Sequence, residues 1–243
     1  MNKQKKMPAP LPVELMQDQP AQTGADERPK ATRRSPKGER TRAKIIDAAE
    51  RLFGRSSYET VSQRDVADEA GLLIGLVTHH YPNKVSLFDA VIARRAEELN
   101  SRRLERLGAA DKSSVEEIID AFFEPLLELI SSSSSDGWNN YARLMSRMVY
   151  SEVGAQSSAT YYSGTVKIFL NALIEALPEV DRVTVAHAFV YSIEVLLTSL
   201  YLPNRFTGVA GLEEAARQDA RQVYSTIRPF VLGGIGALKQ LPA

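Results

Sequence analysis

Residues 62–84 read SQRDVADEAGLLIGLVTHHYPNK, and this stretch decides the fold. Ser62 followed three residues later by Asp65 matches a capping box, with the shorter acid in place of Glu. Val66, Ala67 and Ala70 then share one face at helical spacing, which predicts a helix over 62–70. Gly71 suits the left-handed backbone that costs other residues energy. A further helix is predicted over 72–81 and is closed by Pro82, which disfavours helical backbone in the residue before it. Two short helices joined by a glycine turn make a helix-turn-helix, the shape that lays its second helix in a DNA major groove. The same pattern also occurs inside helical cores, so the surrounding chemistry has to decide.

Working outward, Ile45, Ile46, Ala49, Leu52 and Phe53 recur at helical spacing from Glu39, with Gly54 expected at the helix end. Residues 1–36 read as a disordered basic arm: Pro and Gln recur, no apolar period appears, and the cluster RPKATRRSPK fills 28–37. A fourth helix is predicted from about 83 to 107, with Leu87, Val91, Ala96 and Leu99 on its inner face. Further helices follow over about 113–130, 137–150, 157–177, 180–202 and 212–239. The breaks between them are five serines at 131–135 with Asp136-Gly137, then Gly154, Pro178 and Pro203-Asn204. The serine run is read as a flexible loop. No strand or internal repeat is found, so the expected fold class is all-α with about nine helices.

The 243 residues suffice for one large domain or two small ones, and the charged quarter is ordinary for a folded chain. There are no cysteines, which excludes a disulfide scaffold, a Cys-ligated zinc site and a cysteine nucleophile, and suits a cytoplasmic location. The start MNKQKK is basic, but no apolar signal region follows it. No run is expected to reach the roughly 20 apolar residues that span a bilayer, so no membrane partner is expected. Net charge is zero but uneven: residues 1–95 carry 17 Lys/Arg against 12 Asp/Glu, and the remainder carries 13 against 18. A basic front suits a polyanionic partner, although chance segregation of solvated charge gives the same count.

Arg64 at the start of the second helix can meet a phosphate or a guanine edge. Ser62 and Gln63 lie at the same helix start, where free N–H groups and the dipole favour phosphate, and Lys84 is placed similarly on the fourth helix. Each of these charges taken singly reads as solvated surface; together with the helix-turn-helix spacing they read as DNA contacts. Enzyme chemistry is not expected. His79 and His80 are adjacent on a helix and point about 100° apart, so one ion cannot easily hold both. No Gly-rich phosphate loop, Ser elbow or paired-acid motif is present, and no cofactor or metal is expected.

Residues 41–99 resemble the N-terminal domain of the TetR family of transcriptional regulators. The likeness rests on Ile45-Ile46-Asp47-Ala48-Ala49 with Leu52-Phe53, Tyr58-Glu59-Thr60, Arg64-Asp65-Val66-Ala67, Ala70-Gly71, and His79-His80-Tyr81-Pro82-Asn83-Lys84 with Leu87. The resemblance implies a helix-turn-helix DNA-binding domain over 37–84 and a ligand-binding and dimerisation domain over 85–243. It implies a homodimer that binds a near-palindromic double-stranded DNA operator, usually represses, and is released by a small-molecule effector. By position, Leu73, Ile74, Gly75, Leu76, Thr78 and His79 belong to the groove-facing helix, with Thr60, Ser62, Gln63, Arg64, Thr78 and Lys84 near phosphates; His80 and Tyr81 are expected to pack inside. The sequence departs from the family where helix three is usually capped by a polar residue followed by a polar or basic one. Those positions hold Leu73 and Ile74, and a common mid-helix Tyr is Thr78. So apolar a surface can read thymine methyls, or it faces a protein and weakens DNA reading. The basic stretch 28–42 resembles arms that enter the minor groove, and reads equally as a solubilising tail.

The C-terminal half is apolar and aromatic, and helix bundles house ligands between helices. Phe122, Trp138, Tyr141, Met145, Tyr162 and Tyr191 are the candidate ligand contacts, with core packing the competing role for each. Few charges sit on inner faces, which favours an apolar or aromatic effector over a phosphorylated or sugar one. The last two helices are expected to form the dimer seam through Val190, Ile193, Leu197 and Leu200, and through Val223, Ile227, Phe230, Val231 and Ile235. Gly233, Gly234 and Gly236 would allow close approach, and part of these faces must pack on their own subunit. Two alternatives to a ligand-released repressor stay open: a DNA-binding protein without inducer that acts through a protein partner, and a helical interaction protein that has lost operator binding.

Overall fold

The computed structural model describes residues 36–132, 136–148, 150–201 and 219–240. Helix α1 (Pro36–Arg55) begins three residues before the apolar pattern does. Proline fits a first helical turn, where its missing N–H would be unbonded anyway. Glu39 in that turn suits the positive end of the dipole, and Thr41 Oγ1 donates to the Lys37 carbonyl at 3.0 Å. The basic residues 37–42, expected to be part of a free arm, are therefore helical. The remaining expectations for the arm, for 133–135, for the Pro203-Asn204 break and for a last helix beginning at 212 lie outside the described residues.

The helices that follow are α2 (Gln63–Ala70), α3 (Ile74–His80), α4 (Lys84–Ala109), α5 (Val115–Ser132) and α6 (Gly137–Met148). Then come α7 (Glu152–Ala176), α8 (Arg182–Tyr201), α9 (Ala220–Ala237) and a 3₁₀ turn, Leu238–Gln240. Among the described residues there are nine α-helices and no strand, so the fold class is all-α as the spacing predicts.

Two apolar cores organise the chain. The first gathers Ile45, Phe53, Val66, Val77, Leu87 and Val91 from α1–α4 and joins them to Trp138, Tyr141 and Leu144 of α6. The second gathers Ile118 and Phe122 of α5, Phe169 and Leu173 of α7, Phe189 of α8 and Ile227 of α9. Phe122 stands edge-on to Phe169 and to Phe189 with ring centroids 5.0 Å apart in both pairs, the favoured aromatic geometry. Helix α6 packs on α1 and also on α8, so it borders both cores. Helix α9 is fastened to α5 by polar groups: Arg228 grips Asp120 through Nε at 2.8 Å and Nη2 at 2.7 Å, and Tyr224 Oη donates to the same carboxylate at 2.8 Å.

Gly54 lies next to last in α1, at the helix end expected for it, whereas Gly154, expected as a break, lies inside the first turn of α7. A Cβ on Gly54, in α1, would stand 2.6 Å from the Asn140 carbonyl oxygen of α6. A Cβ on Gly154, in the first turn of α7, would stand 1.9 Å from the Met148 carbonyl oxygen. Both permit backbone to meet backbone. Helix α7 consequently starts at Glu152 rather than near 157, with Ser151 as its N-cap accepting from the Gly154 N–H at 3.0 Å.

The expectation that no apolar run is long enough for a bilayer is corrected by α8. Arg182–Leu200 is one helix long and apolar enough to cross a membrane by length and composition. Scattered Thr184, His187, Ser192, Glu194 and Thr198 hide the run from a simple reading. In the fold this helix buries Val185, Phe189, Leu196 and Leu197 against its neighbours and leaves Val183, Val190 and Tyr191 exposed, Val190 beside a cavity in the helical body.

Candidate functional site

The capping box at Ser62 is complete. The Ser62 N–H donates to Asp65 Oδ2 at 2.7 Å, and the Asp65 N–H donates to Ser62 Oγ at 3.1 Å. The Ser62 backbone and hydroxyl hold the Asp65 carboxyl below the usual range. Gly71 adopts φ 63°, ψ 39°, the left-handed turn predicted for it, and the Leu72 N–H closes on the Ala67 carbonyl at 2.9 Å. Only Val77 of α3 is buried. Leu73, Ile74, Gly75, Leu76, Thr78 and His79 are all exposed, Leu73 by 79%. Leu73 is the N-cap of α3 and makes no side-chain hydrogen bond there. Thr78 Oγ1 turns back to the Ile74 carbonyl at 3.2 Å and the Gly75 carbonyl at 3.3 Å.

The expected phosphate contacts separate into two kinds. Arg64 is exposed on the first turn of α2. The others are also engaged internally. Thr60 Oγ1 donates to the Ser57 carbonyl at 3.0 Å, and Gln63 Nε2 donates to the Tyr81 carbonyl at 2.7 Å. Lys84 Nζ donates to the Glu59 carbonyl at 3.2 Å and lies 4.2 Å from the centre of the Tyr58 ring. That pair of contacts clamps the α1–α2 turn onto the start of α4. Tyr81 is buried, as expected, with the Arg42 guanidinium 5.5 Å above its ring, whereas His80 is half-buried.

In the helical body a cavity of about 180 Å³ opens between α4, α5, α6, α7 and α8. Phe122, Met145 and Tyr162, all singled out from sequence, line it. Tyr141 sits one step behind: its hydroxyl meets that of Tyr162 and lies 3.4 Å from the Ile92 carbonyl. Burial pushes the Tyr162 hydroxyl up to about 12 and the Tyr141 hydroxyl well above its ordinary value, so both stay protonated at neutral pH. Trp138 is elsewhere, against α4, with Arg95 4.8 Å from its ring centre. Tyr191 is 63% exposed and stacks on His187 with centroids 5.9 Å apart, outside the cavity wall.

Two buried charged residues were missed by the sequence reading. Glu50 is 2% exposed and receives Arg94 Nη2 at 2.6 Å and Arg95 Nη2 at 2.8 Å, tying α1 to α4. Arg103 is 3% exposed and lines the cavity. Their spacing gave the signal: Glu50 falls on the face of Ile46 and Phe53, and Arg103 on the face of Ala96, Leu99 and Leu107.

Residues 45–91 match the sequence family of bacterial regulatory proteins, tetR family, and residues 120–234 match the tetracyclin repressor-like C-terminal domain. Two curated relatives are transcriptional repressors of Rhodococcus jostii (strain RHA1). The HTH-type repressor KstR is 36% identical over 61 residues, which are 25% of this chain and 29% of that protein. KstR2 is 28% identical over 87 residues, 35% of this chain and 43% of that protein. The chain thus spans less than half the length of the curated relatives it matches. Among solved structures, a putative transcriptional regulator from Pseudomonas aeruginosa PAO1 superposes with a TM-score of 0.56 at 19% identity, covering 87% of this chain and 97% of that one. A gamma-butyrolactone receptor (ArpA-like protein) superposes with a TM-score of 0.53 at 20% identity, covering 82% and 100%. These structures share the fold. With its exposed helix-turn-helix face and both family matches together spanning more than half of it, the chain belongs to the TetR family of bacterial transcriptional regulators.

Proposed function

We propose that this protein is a cytoplasmic, homodimeric repressor that binds a near-palindromic DNA operator and leaves it when a small, largely apolar molecule enters the body. The observation that carries the reading is the double role of α6. Met145 and Met148 line the cavity, while Asn140 meets Gly54 and Arg147 Nη1 donates to the Gly54 carbonyl at 2.6 Å. A ligand that moves α6 therefore moves α1, on which α2 and α4 pack. Residues 37–84 serve as the DNA-binding unit and 85–243 as the ligand and dimer unit. Ile74, Gly75, Leu76, Thr78 and His79 enter the major groove, and Arg64 leads the phosphate contacts. The exposed Leu73, Ile74 and Leu76 favour thymine-rich steps, where carbon contact suffices. Val183, Val190 and Tyr191 of α8 and Phe230 of α9 meet the second subunit, beside the open Gly233 and Gly234. The gamma-butyrolactone receptor of the same fold supports a small-molecule effector.

The test is selection of genomic fragments by purified protein, followed by mass measurement of the complex. A dimer on a near-palindromic site is the expected result, and sequence-indifferent binding would overturn it. A second reading, a helical interaction protein without an operator, is favoured by the 79% exposure of Leu73. Under it, the same selection enriches no site.

A further inference from the structure

Glu50 and Arg103 are the charged residues buried among those described, and they are treated differently. Glu50 has two arginines on it. Arg103 has no carboxylate within ion-pair distance among the described residues. Buried charges are ordinarily paired, because losing water must be compensated. Arg103 uses Nε to donate to the Phe122 carbonyl at 2.9 Å, and its guanidinium carbon lies 3.8 Å from the centre of the Phe122 ring. One edge and one face of the guanidinium are thus held still. Arg103 lines the cavity, and neither of its Nη groups makes a hydrogen bond among the described residues. Burial pushes the group down to about 10, so it remains a cation at neutral pH.

A fixed, desolvated guanidinium with both Nη groups unused matches the geometry of a carboxylate, which accepts two parallel hydrogen bonds from such a fork. The rest of the wall is chiefly Phe122, Phe123, Leu126, Met145 and Ile193. One acid, Glu194, also lines the cavity, and among the described lining residues Arg103 is the only cation. A dianion such as a phosphate monoester would bring a charge that Arg103 alone cannot balance and that Glu194 repels. The volume, about 180 Å³, is below the roughly 300–1,000 Å³ of drug-sized sites. We propose that the effector is a small apolar monocarboxylic acid, bound as its carboxylate with both oxygens on the Arg103 fork and its hydrocarbon body among Phe122, Leu126 and Met145. The proposal refines the ligand-released repressor reading and rests on it.

The test pairs acids with their amides, 3-phenylpropionate with 3-phenylpropanamide and hexanoate with hexanamide. Binding is read by calorimetry and melting shift, and operator affinity is read separately. Wild type is expected to bind the acids and to discriminate against the amides by roughly ten-fold or more, the usual worth of a charge-assisted pair. Arg103→Met should erase that discrimination. Arg103→Lys should keep part of it, since an ammonium has charge but no fork. Glu194→Gln, which leaves Arg103 in place, should bind the acids as tightly or more tightly. Amides that bind wild type as well as the acids do would overturn the carboxylate assignment and leave the ligand-released reading standing. Acids that bind with these preferences yet leave operator affinity unchanged would support the site and sink that reading. Neither acids nor amides binding would overturn the proposal outright. Should Arg103→Met not fold, the acid–amide comparison in wild type and in Glu194→Gln decides alone.

Discussion

Arg147 reaches from α6 to the backbone of α1, its Nη1 donating to the Gly54 carbonyl at 2.6 Å. The contact exists because residue 54 has no side chain: the Asn140 carbonyl occupies the space a Cβ would need. The helix that borders the cavity and the helix on which the helix-turn-helix packs are therefore in backbone contact.

Gly54→Ala should destabilise the protein. The clash is with backbone, so a side chain cannot turn away and the helices must part. Overpacking of this kind costs ~1–3 kcal/mol, which outweighs the gain of under ~1 kcal/mol from better helix propensity. Urea unfolding checks this, and an unchanged midpoint would mean that α1 and α6 slide freely. Where the variant folds, the effect of ligand on operator affinity should shrink as well.

Leu73→Ser should stabilise α3. Leu73 holds the N-cap without a side-chain hydrogen bond, and a serine there would supply one. The expected gain is ~0.5–2 kcal/mol, read as a raised melting temperature. A fall would show that the exposed leucine packs on something in solution.

Arg64→Ala and Lys84→Ala should differ. Each should weaken operator binding and flatten its salt dependence, because each removes a proposed phosphate partner. Lys84→Ala should in addition cost on the order of 1 kcal/mol of stability, since Lys84 also holds the Glu59 carbonyl and the Tyr58 face. Arg64→Ala should leave melting unchanged. Equal melting losses in both variants would contradict this division.

Asp65 supplies a pH signature. Hydrogen bonds from the Ser62 backbone and hydroxyl lower its folded pKa below the ordinary aspartate value of 3.8. The unfolded chain then binds the proton more readily. The stabilisation is complete above 3.8 and is lost as pH falls through the lower folded value. Melting curves of wild type and Asp65→Asn should therefore converge at the acid end and separate above pH 4, with wild type the more stable. Parallel curves across that range would rule out the capping carboxylate as the source.

What the sequence determined by itself was local. The Ser62-Asp65 box, the Gly71 turn and the Pro82 stop are interactions among residues a few positions apart, so their chemistry can be read in order. Apolar period located the helices of both halves, and the same period placed Phe122, Met145 and Tyr162 on inward faces. What only the tertiary structure decided depended on distant partners. Glycine has the same letter at a turn and at a close contact, so Gly54 and Gly154 showed their role only when Asn140 and Met148 came against them. Ile227, Val231 and Ile235 face their own subunit and Phe230 faces outward, a division set by which side of α9 meets α5 and α8. Spacing put Arg103 on the inner face of α4, but that it is a buried cation with no ion pair among the described residues was settled only when α5 closed over it.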